Sequence, residues 1–167
     1  SRFSTLHELL AAGADDAIAL AAPGAPPLTH AALRAVVTRC AGRLNPAGVG
    51  RGDRVAIVLP NGPEMAAAFV GIACCASAAP LNPAYRAEEF DFYLSDLNAR
   101  ALVVERGSTS PAVEVARRRG IAVIELVPAG EGAGAFDLNA PRVGGQASAT
   151  GMADAGEVAL ILHTSGT

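Results

Sequence analysis

The sequence predicts an α/β fold: a mainly parallel sheet flanked by helices on both faces. Residues 55–59 and 101–104 are short apolar runs bounded by turn residues, as expected of strands covered on both sides. Segments of helical periodicity, such as residues 86–97, lie between such runs, and strands that alternate with helices favour parallel pairing. With 167 residues, 51% hydrophobic and 17% charged, the chain has the composition of a folded protein.

The first 50 residues predict a short helix, a strand and a long helix. Thr5 and Glu8 have the spacing of a capping box, which places a helix start between them. Residues 17–21 predict a strand. Thr29 can cap a second helix, which residues 45–48 end with Asn, Pro and Gly. The apolar face of this helix follows the i, i+3, i+4, i+7 pattern through Leu33, Val36, Val37, Cys40, Ala41 and Leu44.

The middle of the chain repeats strand and helix. Strands are predicted at residues 55–59, 78–81, 101–104 and 121–124, and helices after Pro63, after Arg86 and through Val113. The glycines at 48–52 precede a strand instead of following one, so they predict a turn and not a dinucleotide loop. Adjacent Glu88 and Glu89 point about 100° apart on a helix, which indicates a solvated face and not a catalytic pair.

The last 40 residues hold a predicted loop and a predicted strand. Residues 128–156 are rich in Gly, Ala and Ser without periodicity, which predicts a long, mobile surface loop. Residues 158–162 are five consecutive apolar residues, which predict a central strand buried on both faces. In open α/β sheets, ligands bind at the carboxyl ends of the strands, where this strand would deliver the next loop.

That next loop is the candidate binding site. It consists of Thr164, Ser165, Gly166 and Thr167. Glycine lets the backbone approach an anion closely, and the hydroxyls add donors to the backbone N–H groups, so the loop predicts a phosphate cradle. The tetrapeptide alone does not distinguish a phosphate site from a polar turn.

Composition excludes several other functions. The net charge is −3 and the arginines are scattered, which disfavours nucleic-acid binding. Cys40, Cys74 and Cys75 have neither zinc-ligand spacing nor the even count of a disulfide framework, and they predict buried thiols in a reducing compartment. The apolar stretch 65–81 is shorter than a membrane span, and the first ten residues lack a secretory pattern, so we expect a cytoplasmic protein. No catalytic residue or metal ligand is predicted within the chain.

Three blocks of the sequence carry a family resemblance. They are GRGDRVAIVLPNGPEMAAAFVGI, APLNPAYRAEEFDFYLSDLNARALVV and VALILHTSGT. In this order they resemble the N-terminal domain of the adenylate-forming (AMP-dependent) acyl-CoA synthetases, whose loop continues as T-S-G-[ST]-T-G-x-P-K. The segment LNPAYRAEEFDFYLSD, with His163 before the loop, is most similar to the oxalyl-CoA synthetase and peroxisomal-type acyl-CoA synthetase branch.

The resemblance implies that residues 1–167 are an incomplete large domain, without the small C-terminal domain of the family. It implies a ligase that activates a small-molecule carboxylic acid with ATP and Mg²⁺ to an acyl-adenylate, then transfers the acyl group to CoA. Residues 164–167 would bind the β- and γ-phosphates, and the CoA site would lie in the remainder of the same polypeptide. In this family the acyl pocket also lies downstream of residue 167, so the identity of the carboxylic acid stays open. The role of His163 stays open between orienting the strand end, touching nucleotide and simple packing.

Two other functions stay open from the sequence. One is a non-catalytic α/β binding module that keeps the fold without the chemistry. The other is an adenylation domain that loads a carrier protein instead of CoA. A reading frame that continues with TGxPK would exclude the first, and a downstream carrier domain would favour the second.

We predict that the 167-residue chain alone cannot activate a carboxylate. It contains no lysine, whereas the family that it resembles uses one lysine after the phosphate loop and another in the C-terminal domain. Without these groups the charge of the transferring phosphate is not stabilised. The purified chain should show no carboxylate-dependent ATP–pyrophosphate exchange, measured beside a full-length synthetase as positive control. Exchange above the protein-free background would contradict the prediction.

Overall fold

The computed structural model describes residues 2–164 and confirms the α/β class. Helices and strands alternate along most of this range. The elements are α1 (Leu6–Ala11), β1 (Ile18–Leu20), β2 (Leu28–Thr29), α2 (His30–Ala47), β3 (Arg54–Val58), α3 (Pro63–Ala73), β4 (Ser77–Pro80), α4 (Ala87–Asp96), β5 (Ala101–Glu105), α5 (Pro111–Arg118), β6 (Ala122–Pro128) and β7 (Phe136–Asn139).

The main sheet has the strand order β4-β3-β5-β6-β7. The first four strands in this order are parallel, and β7 pairs antiparallel with β6. The chain passes from β3 to β4 on one side and then returns to β5 on the other, so the strand order reverses between β3 and β5. Strands β1 and β2 form a separate antiparallel pair beside α2.

Both faces of the sheet are covered, as β3 shows. Val55 and Ile57 belong to a core shared with α2 and α3, whereas Ala56 and Val58 belong to a second core shared with α4 and α5. All four side chains are at most 4% exposed. Successive side chains of a strand point to opposite faces, so a run of apolar residues requires helices on both sides.

Helix α2 follows the predicted pattern closely. The Thr29 hydroxyl accepts a hydrogen bond from the Ala32 N–H, as an N-cap should. All six apolar residues predicted for the inner face are buried. Pro46 lies in the last turn, and Gly48 ends the helix in the left-handed region at φ 101°. Glycine adopts this conformation without the steric penalty of a Cβ atom.

The predicted loop at residues 128–156 is wrong in part, because it contains β7. Phe136 and Leu138 are buried against the first core, and the Arg39 guanidinium donates to the Phe136 carbonyl at 2.7 and 3.0 Å. The glycine-rich stretch before β7 is a turn, in which Gly134 has φ 81° and a Cβ atom would overlap the Pro63 carbonyl. Residues 140–156 form no helix or strand, and their mobility stays a prediction.

The predicted central strand at residues 158–162 is also wrong. This segment lies beside the edge strand β4, with a single parallel bridge between Ala78 and Leu160. Val158, Leu160 and Leu162 are 57%, 41% and 63% exposed. The apolar run is continuous, but within residues 2–164 only β4 flanks it, so alternate side chains stay exposed.

The side chains of Ser77, on β4, and Arg51, in the turn before β3, hold this edge segment in place. The Ser77 hydroxyl donates to the Val158 carbonyl at 2.6 Å. The Arg51 guanidinium bonds both Glu157 oxygens, at 3.0 and 3.2 Å, and also pairs with Asp154. This hydrogen bond from Arg51 lowers the pKa of Glu157 below its ordinary value of 4.5, and the Asp154 N–H contributes further.

We predict that Arg51→Gln loosens the edge segment without unfolding the domain. Amide exchange at Ile161 and Ala78, whose N–H groups bond across the edge, should become several-fold faster. The control is Arg43→Gln, which removes a comparable pair with Asp137 on β7.

The hydrogen bonds between Arg51 and Glu157 should also be lost in acid, so that amide exchange at Ile161 becomes faster. The depressed pKa means that the Glu157 pair stabilises the fold fully above pH 4.5, and that this stabilisation is lost as the pH falls through the lower folded value. If the amide of Ile161 exchanges at the same rate in Arg51→Gln and Arg43→Gln, Arg51 does not hold the edge segment.

Candidate functional site

The predicted phosphate loop begins at the carboxyl edge of the parallel sheet. Because residues 158–162 run parallel to β4, His163 and Thr164 leave the segment at the edge where β3, β4 and β5 also end. Thr164 is exposed there. Ser165, Gly166 and Thr167 lie outside the described residues, so their assignment to the loop stays a prediction.

His163 is packed and hydrogen-bonded at this edge. Its Nε2 lies 3.1 Å from Asp96 Oδ2, and its ring centroid lies 4.5 Å from that of Tyr93. Both partners lie on α4. The histidine side chain is only 15% exposed, whereas the carboxylate of Asp96 is 58% exposed. A carboxylate only accepts, so Nε2 donates to Asp96, and in the neutral ring Nδ1 is then an acceptor.

The ring of Tyr93 belongs to an aromatic cluster. Tyr85 stacks on Tyr93 at 4.9 Å between centroids, and Phe90 meets Tyr85 edge-on at 5.8 Å. The side-chain hydrogen bond with Tyr93, with burial as a smaller cause, raises the pKa of Tyr85. Phe90 is fully buried in the second core. The cluster therefore connects His163 to the interior of the domain through contacts between rings.

The turn that precedes α4 is ordered by local hydrogen bonds. The Asn82 side-chain oxygen accepts from the Ala84 N–H at 2.9 Å, and Glu89 accepts from the Arg86 N–H at 2.8 Å. Such Asx and capping bonds fix the start of a helix. Glu88 and Glu89 are exposed, in agreement with the predicted solvated face.

The carboxyl edge also carries a cavity of about 340 Å³. It lies between the ends of β3 and β5, where the strand order reverses, and this is the position at which open α/β sheets bind ligands. Its lining includes Pro60, Asn61, Glu64, Glu105 and Arg106.

A larger cavity of about 550 Å³ lies at the opposite edge of the sheet. Three arginines line it, but their guanidinium groups are already engaged. Arg54 and Arg100 donate to backbone carbonyls, and Arg119 pairs with Asp91. Two hydrogen bonds, from Arg119 and then Arg118, lower the pKa of Asp91 to about 2, while its partial desolvation opposes this shift. These guanidinium groups therefore have structural partners, and the cavity that they line is distant from the predicted loop.

The cysteines are buried free thiols, as predicted. A side-chain hydrogen bond with Cys75, followed by burial, raises the pKa of Cys40, and burial raises the pKa of Cys74 to about 12. These two thiols stay protonated at neutral pH, and a protonated thiol is a poor nucleophile. Residues 2–164 contain no group of three or more His, Cys, Asp or Glu side chains that could hold a metal ion.

Sequence reasoning missed Asp96 and Tyr93 as partners of His163. They are 67 and 70 positions away in the chain, so no local periodicity connects them. One signal could have linked them. Residues 81–96, which contain both Tyr93 and Asp96, resemble the same branch of the family that His163 before the loop resembles.

In the part of the chain that the structure describes, no helix is long and apolar enough to cross a membrane.

Similarity to known proteins was found at the levels of family, sequence and structure. Residues 8–167 match the family described as AMP-binding enzyme. The chain is 39% identical over 146 residues to the probable CoA ligase CCL9 of Humulus lupulus, covering 84% of this chain and 27% of that protein. It is 38% identical over 167 residues to an oxalate–CoA ligase of Arabidopsis thaliana, covering 98% of this chain and 32% of that protein.

The solved structures of MatB from Rhodopseudomonas palustris have the same fold. The apo form matches with a TM-score of 0.75 and 27% identity, covering 98% of this chain and 33% of that chain. The ATP-bound form matches 74% of this chain and 25% of that chain, with a TM-score of 0.65 and 25% identity. The chain thus spans about a quarter to a third of the length of these relatives. From the match over residues 8–167, the chain belongs to the AMP-binding enzyme family.

Proposed function

We propose that this chain is the N-terminal part of the large domain of an AMP-forming acyl-CoA synthetase. The observation that carries the proposal is the position of Thr164. It opens a Thr-Ser-Gly-Thr segment at the carboxyl edge of a parallel sheet, in a chain whose family match continues to Thr167. The two curated relatives described above are named CoA ligases, which supports CoA over a carrier protein as acceptor.

The proposed reaction has two steps. In the first, an oxygen of the substrate carboxylate attacks the α-phosphorus of ATP, the bond to the bridging oxygen breaks, and pyrophosphate leaves. In the second, the CoA thiol gives up its proton to solvent, its sulfur bonds to the acyl carbon of the adenylate, and the bond from that carbon to the phosphate-bound oxygen breaks, so AMP departs with the former carboxylate oxygen. Negative charge collects on the phosphates in the first step, where fixed donors are most effective.

Residues 164–167 would supply such donors. Their backbone N–H groups and the hydroxyls of Thr164, Ser165 and Thr167 would hydrogen-bond the β- and γ-phosphates, and Gly166 would let the main chain approach. They would orient the nucleotide and would carry out no proton transfer. The ATP-bound form of MatB supports ATP as the nucleotide.

Oxalate is the first acid to test, because a curated relative is named an oxalate–CoA ligase. The family resemblance also implies Mg²⁺ bound with ATP. The described residues do not fit a metal site of their own, so we derive no step through the ion. A reducing compartment such as the cytoplasm is supported by the three free cysteines.

We predict that Ser165→Ala in the full-length enzyme weakens adenylation by roughly 1–3 kcal/mol, because a hydrogen bond to a charged phosphate is lost. Thiolysis of a supplied acyl-adenylate should change much less, since pyrophosphate has already left. Gly166→Val should impair adenylation more, because its side chain blocks the approach of the backbone. The two half-reactions are measured separately, by ATP–pyrophosphate exchange and by release of AMP.

The matched control is Ser148→Ala, which removes the hydroxyl of an exposed serine in residues 140–156. It should leave both half-reactions unchanged. If Ser165→Ala slows both half-reactions equally, or slows only thiolysis, these residues are not the phosphate loop. If the unmodified enzyme shows no exchange with oxalate or with other carboxylic acids, the proposed ligase activity is wrong.

A further inference from the structure

We propose that His163 is a positioning residue that anchors the start of the phosphate loop to α4 through Asp96 and Tyr93. The inference rests on the proposed function and assigns a role within the same site.

The first step is the weak backbone attachment of the loop. Across the edge, the Ala78 N–H donates to the Ala159 carbonyl, and the Ile161 N–H donates to the Ala78 carbonyl, both at 2.9 Å. Beyond Ile161, the hydrogen bond that holds the described chain is the one from His163 to Asp96. The side chains of Leu160 and Leu162 are exposed and add little packing. Ile161 packs against the second core, but it lies three residues before Thr164, so among the described residues the side chain of His163 is the nearest contact that fixes Thr164.

The second step is the rigidity of the anchor. Helix α4 buries Phe90 and Leu94 completely. Its exposed side is held by Asp91, which accepts two hydrogen bonds at 2.8 Å from Arg119. A histidine bonded to this helix is thus fixed relative to the sheet.

The third step is the chemistry of the histidine itself. Nε2 is committed to Asp96, and Nδ1 is buried without a hydrogen-bond partner among the described residues. Because Nδ1 is buried, it is not open to a phosphate oxygen at the surface of the edge. The geometry therefore favours an indirect role, in which His163 orients the donors that follow it. A loop that must present several donors at once loses rate when it shifts by about 1 Å.

The test uses the full-length enzyme and four substitutions. His163→Ala and Asp96→Ala should each lower kcat/KM for ATP in pyrophosphate exchange by roughly tenfold to a hundredfold, since the loop is misplaced. Thiolysis of a supplied adenylate should stay within about twofold of the unmodified enzyme, because it does not use these phosphates. His163→Gln, whose amide nitrogen can replace Nε2, should recover part of the loss. Glu88→Gln, an exposed carboxylate on the same helix, is the control and should match the unmodified enzyme.

The double variant separates anchoring from direct contact. If His163 acts through Asp96, His163→Ala with Asp96→Ala should be little worse than either single variant. If His163→Ala lowers kcat/KM for ATP but Asp96→Ala does not, the anchor is wrong and His163 contacts the nucleotide directly. Equal loss in both half-reactions with a lowered melting temperature would also overturn it, in favour of a merely structural role.

The proposed function and the anchor fail in different ways. An unmodified enzyme without carboxylate-dependent exchange contradicts the function itself. If the enzyme is active and Ser165→Ala slows adenylation but His163→Ala does not, the phosphate-loop assignment stands and the anchoring role of His163 is wrong.

Discussion

The position of β3 between β4 and β5 is the constraint on which the rest of the structure depends. All four residues from Val55 to Val58 are buried, and alternate ones face opposite sides of the sheet. Apolar surface on two faces must be removed from water by two layers of helices. Helices α2 and α3 cover one face, and α4 and α5 cover the other. The same parallel pairing brings the carboxyl ends of β3, β4 and β5 to one edge.

The end of the described chain is held differently from the core. Residues 158–164 have one bridge to β4, so their place depends on side chains that come from elsewhere in the sequence. Arg51 holds the beginning of the segment through Glu157, Ser77 holds its middle through a carbonyl, and His163 holds its end on α4. Each contact joins residues that are far apart in the sequence, and together they hold His163 and Thr164 at the carboxyl edge.

Most charged and nucleophilic groups discussed above, away from the carboxyl edge, are engaged in structural contacts or exposed to solvent. The exposed pair Glu88 and Glu89 lies on the solvated side of α4, and two of the three cysteines have raised pKa values that keep them inert. The arginines at the opposite edge are bonded to carbonyls and to Asp91. Of the features discussed above, Thr164 and the cavity between β3 and β5 lie at the carboxyl edge, where we propose that the nucleotide binds.

Local patterns in the sequence were sufficient for most of the fold. The inner face of α2, the Thr5 and Thr29 caps and the doubly covered β3 follow from side-chain periodicity and capping, which are properties of neighbouring residues. Strand β7 escaped prediction because its burial comes from long-range packing against α2, and because the glycine turn that separates it from β6 resembles a loop. Residues 158–162 were misplaced for a related reason: an apolar run indicates a strand, but only its neighbours decide whether it is central or at an edge.

The candidate site divides in the same way. The sequence by itself determined the family and the mainly parallel sheet, since these depend on residue types in a fixed order, and the phosphate loop that begins at Thr164 stays a prediction. Only the tertiary structure decided which residues contact His163, just before Thr164. His163 and Asp96 are 67 positions apart and meet because β4, α4 and the edge segment pack together. Such a contact is created by folding, and no pattern within either segment contains it.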